Sequence, residues 1–305
     1  MLIKSQEMPK GKGPRKRGPF LLKYVELFAF LLPALSLLFV FRIYPFIQAF
    51  LTSLHQIWGT KSKYIGIHNY ISIFTDPLII ESFKITLIFS ALINPIQVIL
   101  ALILAISIAR PIRGQAIFKV IFFVPVVIPM AVASTVWMKM LDPNFGLVNG
   151  ILKSVGLPPQ PFLTSPKQAL GCIIAMATWK GVGYWMIFFL AGIKAIPATL
   201  LESALVDGAN HFQRFWFVTL PLLKRPLTFV LAADTAVNFL LFAPIYMMTR
   251  GGPAGSTNLL IYEAYKTAFV YLDWGRASAL AIVIAILSLL IIFIEMRALQ
   301  ARHEY

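Results

Sequence analysis

The chain has 305 residues, of which 59% are hydrophobic and 13% charged, and its formal net charge is +15. A soluble domain carries about 25% charged residues, so a chain this apolar, with runs of about 20 apolar residues, is a polytopic membrane protein. A nucleic-acid binder would gather basic charge on one folded face among aromatic rings. Here the charge sits in an N-terminal tail and between apolar runs, where it sets topology and attracts anionic lipid heads, and no nucleic acid is expected as a partner.

The residues up to 23 hold seven Lys and Arg (Lys4 to Lys23) amid Gly and Pro, and read as a disordered or lipid-associated basic tail. The first span is expected at 24–51, too long for a signal-peptide core and with no clear cleavage site after it. A polar segment, 55–76, leads to a second span at 82–109, expected to break at Asn94-Pro95. A short basic connector, 110–115, precedes span three at 116–138, which carries Pro125 and Pro129. A long connection, 139–167, leads to span four at 168–192. Span five is expected at 222–248, and the connection 249–276 ends at span six, 277–296.

Lys and Arg orient these spans. With the N-terminus inside, the inner segments hold the seven tail residues plus Arg110, Arg113, Lys119, Lys194, Arg214, Lys224, Arg225, Arg297 and Arg302. The outer segments hold Lys61, Lys63, Lys139, Lys153, Lys167, Arg250, Lys266 and Arg276, so the count is sixteen against eight. Both termini are then cytoplasmic, and so is the stretch 197–221 between spans four and five.

That stretch, PATLLESALVDGANHFQRFWFVTLP, has the pattern of a helix–turn–helix. Pro197 suits the first position of a helix carrying Leu200, Leu201, Ala204 and Leu205 on one side. Asp207-Gly208 is a turn signal, and Asn210 suits the cap of a second short helix with Phe212, Phe215 and Trp216. Glu202-Ser203-Ala204, then Gly208, then Leu220-Pro221 resembles the EAA loop of ABC importer membrane subunits, with Ser203 for the central Ala and Val218 for Ile. Further segments resemble the carbohydrate-uptake, maltose-permease-like branch: Tyr64 to Tyr70, Pro143 to Asn149, and Thr249-Arg250-Gly251-Gly252-Pro253 followed by Thr257, Tyr265, Phe269, Gly275 and Ala277. The likeness covers residues 25 to 297.

The resemblance implies an all-α polytopic membrane protein with six transmembrane helices of the type I ABC importer permease fold, both termini cytoplasmic. It comprises a basic tail (1–23), a permease domain (24–297) and a short tail (298–305). It implies a multi-pass subunit of the prokaryotic plasma (inner) membrane that takes in a sugar or oligosaccharide delivered by an extracytoplasmic binding protein. Its other partners would be a second, homologous permease and two ABC ATPase subunits. Glu202, Ser203, Ala204, Asp207 and Gly208 would couple it to the ATPases. The chain has no G-x-x-x-x-G-K-[ST] loop, so it binds no cofactor itself, and ATP with magnesium belongs to the partner subunits. The connections 139–167 and 249–276 would meet the binding protein.

Polar residues within spans are costly and mark pathways. Asp234 and Asn238 lie one turn apart on span five, with Phe242 a turn further on, offering a carboxylate, an amide and an aromatic ring to a sugar. Trp179 and Tyr184 on span four match the aromatic positions of the branch's W-x-G-x-x-Y segment. These five residues form the expected substrate pathway. Leu241 departs from the maltose-type pattern, which has a polar residue there. No metal site or catalytic grouping is expected: Cys172 is alone, and His55, His68, His211 and His303 lack ligand spacing. A glycerol-phosphate or polyol solute is the alternative within this reading. An ion-driven secondary transporter lacks support because no internal repeat is visible, and a membrane-embedded enzyme because no catalytic residues group.

Overall fold

The computed structural model describes residues 20–58, 61–109 and 114–299. Residues Lys4 to Arg17 of the basic tail, Arg110, Arg113 and Arg302 lie outside the described residues, as does the C-terminal tail from residue 300 on. The chain divides into two compact units, residues 1–49 and 50–305. In the first, α1 (Phe20–Leu38) passes through a π-helical turn (Phe39–Ile43) into the start of α2 (Tyr44–Ser53). Its apolar side chains from Phe28 onward are exposed, as lipid-facing residues are.

The second unit opens with an antiparallel hairpin, β1 (His55–Trp58) and β2 (Lys61–Tyr64), that sets His55 opposite Tyr64. There follow α3 (His68–Thr75), α4 (Pro77–Ala109), α5 (Gln115–Val127), α6 (Met130–Met140), α7 (Leu147–Ser154) and α8 (Ala169–Lys194). Next come α9 (Ala198–Val206), α10 (His211–Arg214), α11 (Leu220–Leu222), α12 (Lys224–Phe239), α13 (Leu260–Phe269) and α14 (Trp274–Leu299). Four helical segments among the described residues are long and apolar enough to cross a membrane: Phe28–Ser53, Pro77–Ala109, Ala169–Lys194 and Trp274–Leu299. Two bent pairs, α5 with α6 and His211–Leu222 with α12, bring the number to six if each is one span.

α4 and α8 form the spine. Ala101 and Ala105, four residues apart on α4, are fully buried and leave room for Met186 and Phe189 of α8. Small residues at such positions let helix backbones approach, which is how helices associate where water supplies no driving force. Gly183 shows the same principle at its limit. A side chain there would strike the backbone carbonyl of Phe122 on α5. Leu260, Ala279, Leu280 and Ile284 pack α13 and α14 against Ile73 and Ile79.

The expected break at Asn94-Pro95 does not occur: α4 runs through it without interruption. Pro95 removes one backbone donor, but Phe89, Ile93 and Val98 are buried on either side and hold the helix in line. A break falls instead where span three is expected, between α5 and α6, which meet at 98°. Ile128, preceding Pro129, is extended (φ −67°, ψ 131°), as a residue before proline prefers to be. Span five is also shorter than expected. α12 ends at Phe239, and the chain turns before a π-helical segment, Ile245–Thr249.

Two asparagines in the segments that carried the family resemblance turn out to be loop staples. Asn69 Nδ2 donates to the carbonyls of Ser53 (2.8 Å) and His55 (3.0 Å). Asn149 Nδ2 donates to those of Pro143 (3.0 Å) and Gln160 (2.8 Å), and its Oδ1 accepts from Gln160 N at 2.8 Å. Near the start of α14, Arg276 Nη2 pairs with Asp76 Oδ2 at 2.5 Å, tying that helix to the α3–α4 corner. Partial burial works to raise the Asp76 pKa, but the Arg276 guanidinium and the backbone N–H groups of Leu78 and Ile79 together hold it below the ordinary value.

Candidate functional site

Two regions gather the residues singled out from sequence. The first is the stretch 197–221. Pro197 is the N-cap of α9 rather than its first residue, a shift of one position. The helix ends in a Schellman arrangement: Ala209 N donates to Ala204 O at 2.9 Å and Gly208 N to Leu205 O at 3.0 Å. Gly208 has φ +79°, and a Cβ there would meet nothing within 4 Å. The need for glycine is therefore conformational, not spatial. Asn210 caps the next helix in a full capping box, accepting from Gln213 N at 2.9 Å while Gln213 Oε1 accepts from Asn210 N at 2.8 Å.

Glu202, Ser203, Asp207 and Gly208 are exposed and Ala204 is half-buried, all on one short rigid unit. No residue of α9 is buried. Around them stand large apolar side chains in the open, including Val206 at 88% exposure, Phe217 at 78% and Phe212 at 71%. Asp207, Gly208, Ala209, Gln213, Phe217 and Val218 line a shallow depression beside the turn. Exposed apolar side chains grouped this way mark a contact with protein or membrane.

The second region lies inside the bundle. Asp234 and Asn238 do share a face of α12, but that face turns inward, leaving them 1% and 3% exposed. Asp234 Oδ1 accepts from Trp185 Nε1 of α8 at 2.7 Å. Asn238 Nδ2 donates to Asn94 Oδ1 (2.8 Å) and Gln97 Oε1 (3.2 Å) of α4. Asn94 Nδ2 donates to Thr235 Oγ1 at 2.7 Å, and Thr235 Oγ1 donates to the Glu295 carboxylate of α14 at 2.9 and 3.0 Å. One polar network thus clamps α4, α8, α12 and α14. Asp234 and Asn238 meet other side chains in this conformation, not an open pathway. Phe242 does not extend their face, because α12 ends first with 3₁₀-type bonds from Leu240 to Val237 and from Leu241 to Asn238. Its ring packs with Tyr246 and Tyr265 at centroid distances of 5.4 and 4.9 Å.

Trp179 and Tyr184 of α8 are 38% and 42% exposed. Trp179 meets Trp137 of α6 at 5.7 Å, and Tyr184 rests edge-on against Trp185 at 4.8 Å. Between them Lys180 Nζ donates to the carbonyls of Pro125 (3.3 Å) and Val126 (3.1 Å), at the broken end of α5. Sequence spacing could not show this, since the partners lie more than fifty residues apart. The signal available was the lysine itself, a cation in an apolar span.

A family model described as the binding-protein-dependent transport system inner membrane component matches residues 97–303, over two thirds of the chain. The chain belongs to this family. It is 34% identical over 301 residues to the sn-glycerol-3-phosphate transport system permease protein UgpA of Brucella suis, covering 98% of this chain and 100% of that one. Identity to the UgpA protein of Agrobacterium fabrum is 32% over 295 residues, covering 96% and 98%. Among solved structures, a bacterial alginate ABC transporter in complex with an alginate pentasaccharide-bound periplasmic protein matches with TM-score 0.80 at 25% identity, over 90% of this chain and 94% of that one. A second alginate importer, at 24% identity and TM-score 0.81 over 93% and 99%, shows the same fold. The chain is therefore an inner-membrane permease of an ABC importer, a transport subunit and not an enzyme. It works with ATPase subunits and a substrate-binding protein.

Proposed function

We propose that this permease crosses the membrane six times with both termini cytoplasmic, the tails 1–23 and 298–305 flanking the permease domain 24–297. It pairs with a second, homologous permease and two ATPase subunits, which bind the ATP and magnesium, and it passes a sugar or oligosaccharide inward. Coupling runs through Glu202, Ser203, Ala204, Asp207 and Gly208. The observation that supports this is the unit at 197–221, locally capped at both of its short helices and carrying exposed apolar side chains, as a lever docked on another subunit would.

Within the membrane, Trp179 and Tyr184 present rings to the solute, while Asp234 and Asn238 act from behind them, holding α12 in register with α8 through Trp185 and with α4 through Asn94 and Gln97. Phe242 belongs with Tyr246 and Tyr265 toward the outer end of the same wall. A phosphorylated polyol is the second reading, favoured by relatives named for sn-glycerol 3-phosphate that match nearly the whole chain.

The test is uptake into proteoliposomes by the complete importer with its binding protein and ATP, using labelled maltooligosaccharides and sn-glycerol 3-phosphate. Trp179→Ala and Tyr184→Ala are expected to slow uptake at least tenfold while ATPase stimulation by the loaded binding protein persists. Unchanged uptake in both variants would remove these residues from the pathway.

A further inference from the structure

We propose that Lys180 is a specificity residue that selects a solute bearing a negative charge. The proposal rests on the transport reading above and deepens it.

Lys180 lies 11 residues into α8, roughly 16 Å along the helix at 1.5 Å per residue, about half the thickness of a bilayer core. A lysine there costs about 2.5–3.5 kcal/mol on insertion scales, so its presence needs a reason. Two of its three N–H donors go to Pro125 O and Val126 O, the free carbonyls where α5 stops. That role is a helix C-cap, favourable for a cation. A cap alone does not need the charge, because a glutamine amide supplies two N–H donors without it.

The charge has no ion-pair partner. α5, α6 and α8 contain no Asp or Glu, and the carboxylate of α12 that meets α8, Asp234, is taken by Trp185 Nε1 at 2.7 Å. The ion pairs among the described residues all lie elsewhere, at Lys84, Lys266 and Arg276. No carboxylate pairs with the ammonium, and one of its donors is left over. It is half-buried, its chain neighbour Trp179 is exposed, and exposed Tyr184, four residues on, shares its face of the helix. Aromatic surface beside a fixed, under-neutralised cation suits a solute with apolar ring or chain faces and one anionic group, a phosphate ester or a carboxylate. Such a contact is a charge-assisted hydrogen bond, the stronger kind.

The test compares wild type, Lys180→Gln and Lys180→Arg as complete importers in proteoliposomes with saturating binding protein. Probes are sn-glycerol 3-phosphate against glycerol, and a uronic-acid trisaccharide against maltotriose. Affinity of the isolated binding protein for each probe is measured separately, so that changes belong to the permease. Lys180→Gln is expected to lower uptake of the anionic probes about 10- to 100-fold. Lys180→Arg is expected to retain it, with ATP hydrolysis still stimulated in both variants. Neutral probes that wild type carries are expected to be unaffected by Lys180→Gln. Equal loss of neutral and anionic probes, or loss of ATPase stimulation in Lys180→Gln, would make Lys180 a mere brace and overturn the proposal, as would undiminished anionic uptake. Wild-type vesicles that carry neither class would instead overturn the transport reading beneath it.

Discussion

The stretch 197–221 and the polar network inside the bundle are built in opposite ways. The first is held by bonds three to five residues apart, and it shows its apolar side chains to the outside. The second is held by bonds spanning 49 to 144 residues, and it hides its polar side chains within. A locally capped unit keeps its shape when its surroundings move, so it suits a lever. A network shared among four helices fixes their register, so it suits a frame. Damage should accordingly cost function without fold in the first region, and fold before function in the second.

The largest structural effect is expected at Gly183. Gly183→Val drives a side chain into the Phe122 backbone rather than into a movable side chain. It should cost about 3 kcal/mol or more and show as poor recovery of monodisperse complex from detergent. Normal recovery would mean that α5 and α8 do not need their close approach.

Next comes Trp185→Phe, which removes the donor to Asp234 Oδ1 and trims a buried ring. Losing a hydrogen bond to a buried carboxylate should cost about 1.5–3 kcal/mol and lower the thermal midpoint of the detergent-solubilised complex. Adding Asp234→Asn should give less than the sum of the two losses, because both changes break one bond. Strict additivity would sever the pair.

The smallest effect is expected at Asp76→Asn, outside the bundle. Asp76 has a depressed pKa in the folded protein, so its contribution is present at neutral pH and disappears as pH falls through the folded value. The substitution should cost no more than about 1 kcal/mol, since the Arg276 pair is partly exposed. The difference from wild type in thermal melts should begin to shrink as pH falls below about 3.9 and vanish only below the lower, folded value. A difference that persists there would assign the effect to something other than the ion pair.

The same contrast explains what could be read in advance. The turn at Gly208 and the cap at Asn210 depend on neighbours within five residues, so residue types and spacing were enough to foresee them. Apolar runs likewise announced the four long apolar helices. The direction in which Asp234 and Asn238 face depends on α4 and α8, more than forty residues away in sequence, and periodicity places two residues on one face without saying which way it turns. Asn94-Pro95 looked like a break because proline acts locally, yet packing around Phe89, Ile93 and Val98 kept α4 continuous. Pro129 broke span three, where Lys180, remote in sequence, satisfies the freed carbonyls.

The central claim is that the capped unit at 197–221 meets an ATPase subunit in the cytoplasm. Site-specific cross-linking tests it most directly. With Cys172 replaced by Ala, Ser203→Cys in the complete importer is treated with a short bifunctional thiol reagent. A covalent adduct with the ATPase subunit, changing in yield when ATP is added, is the predicted result. An adduct with the extracytoplasmic binding protein, or none with the ATPase subunit while cysteines on the outer connections capture it, would contradict the claim.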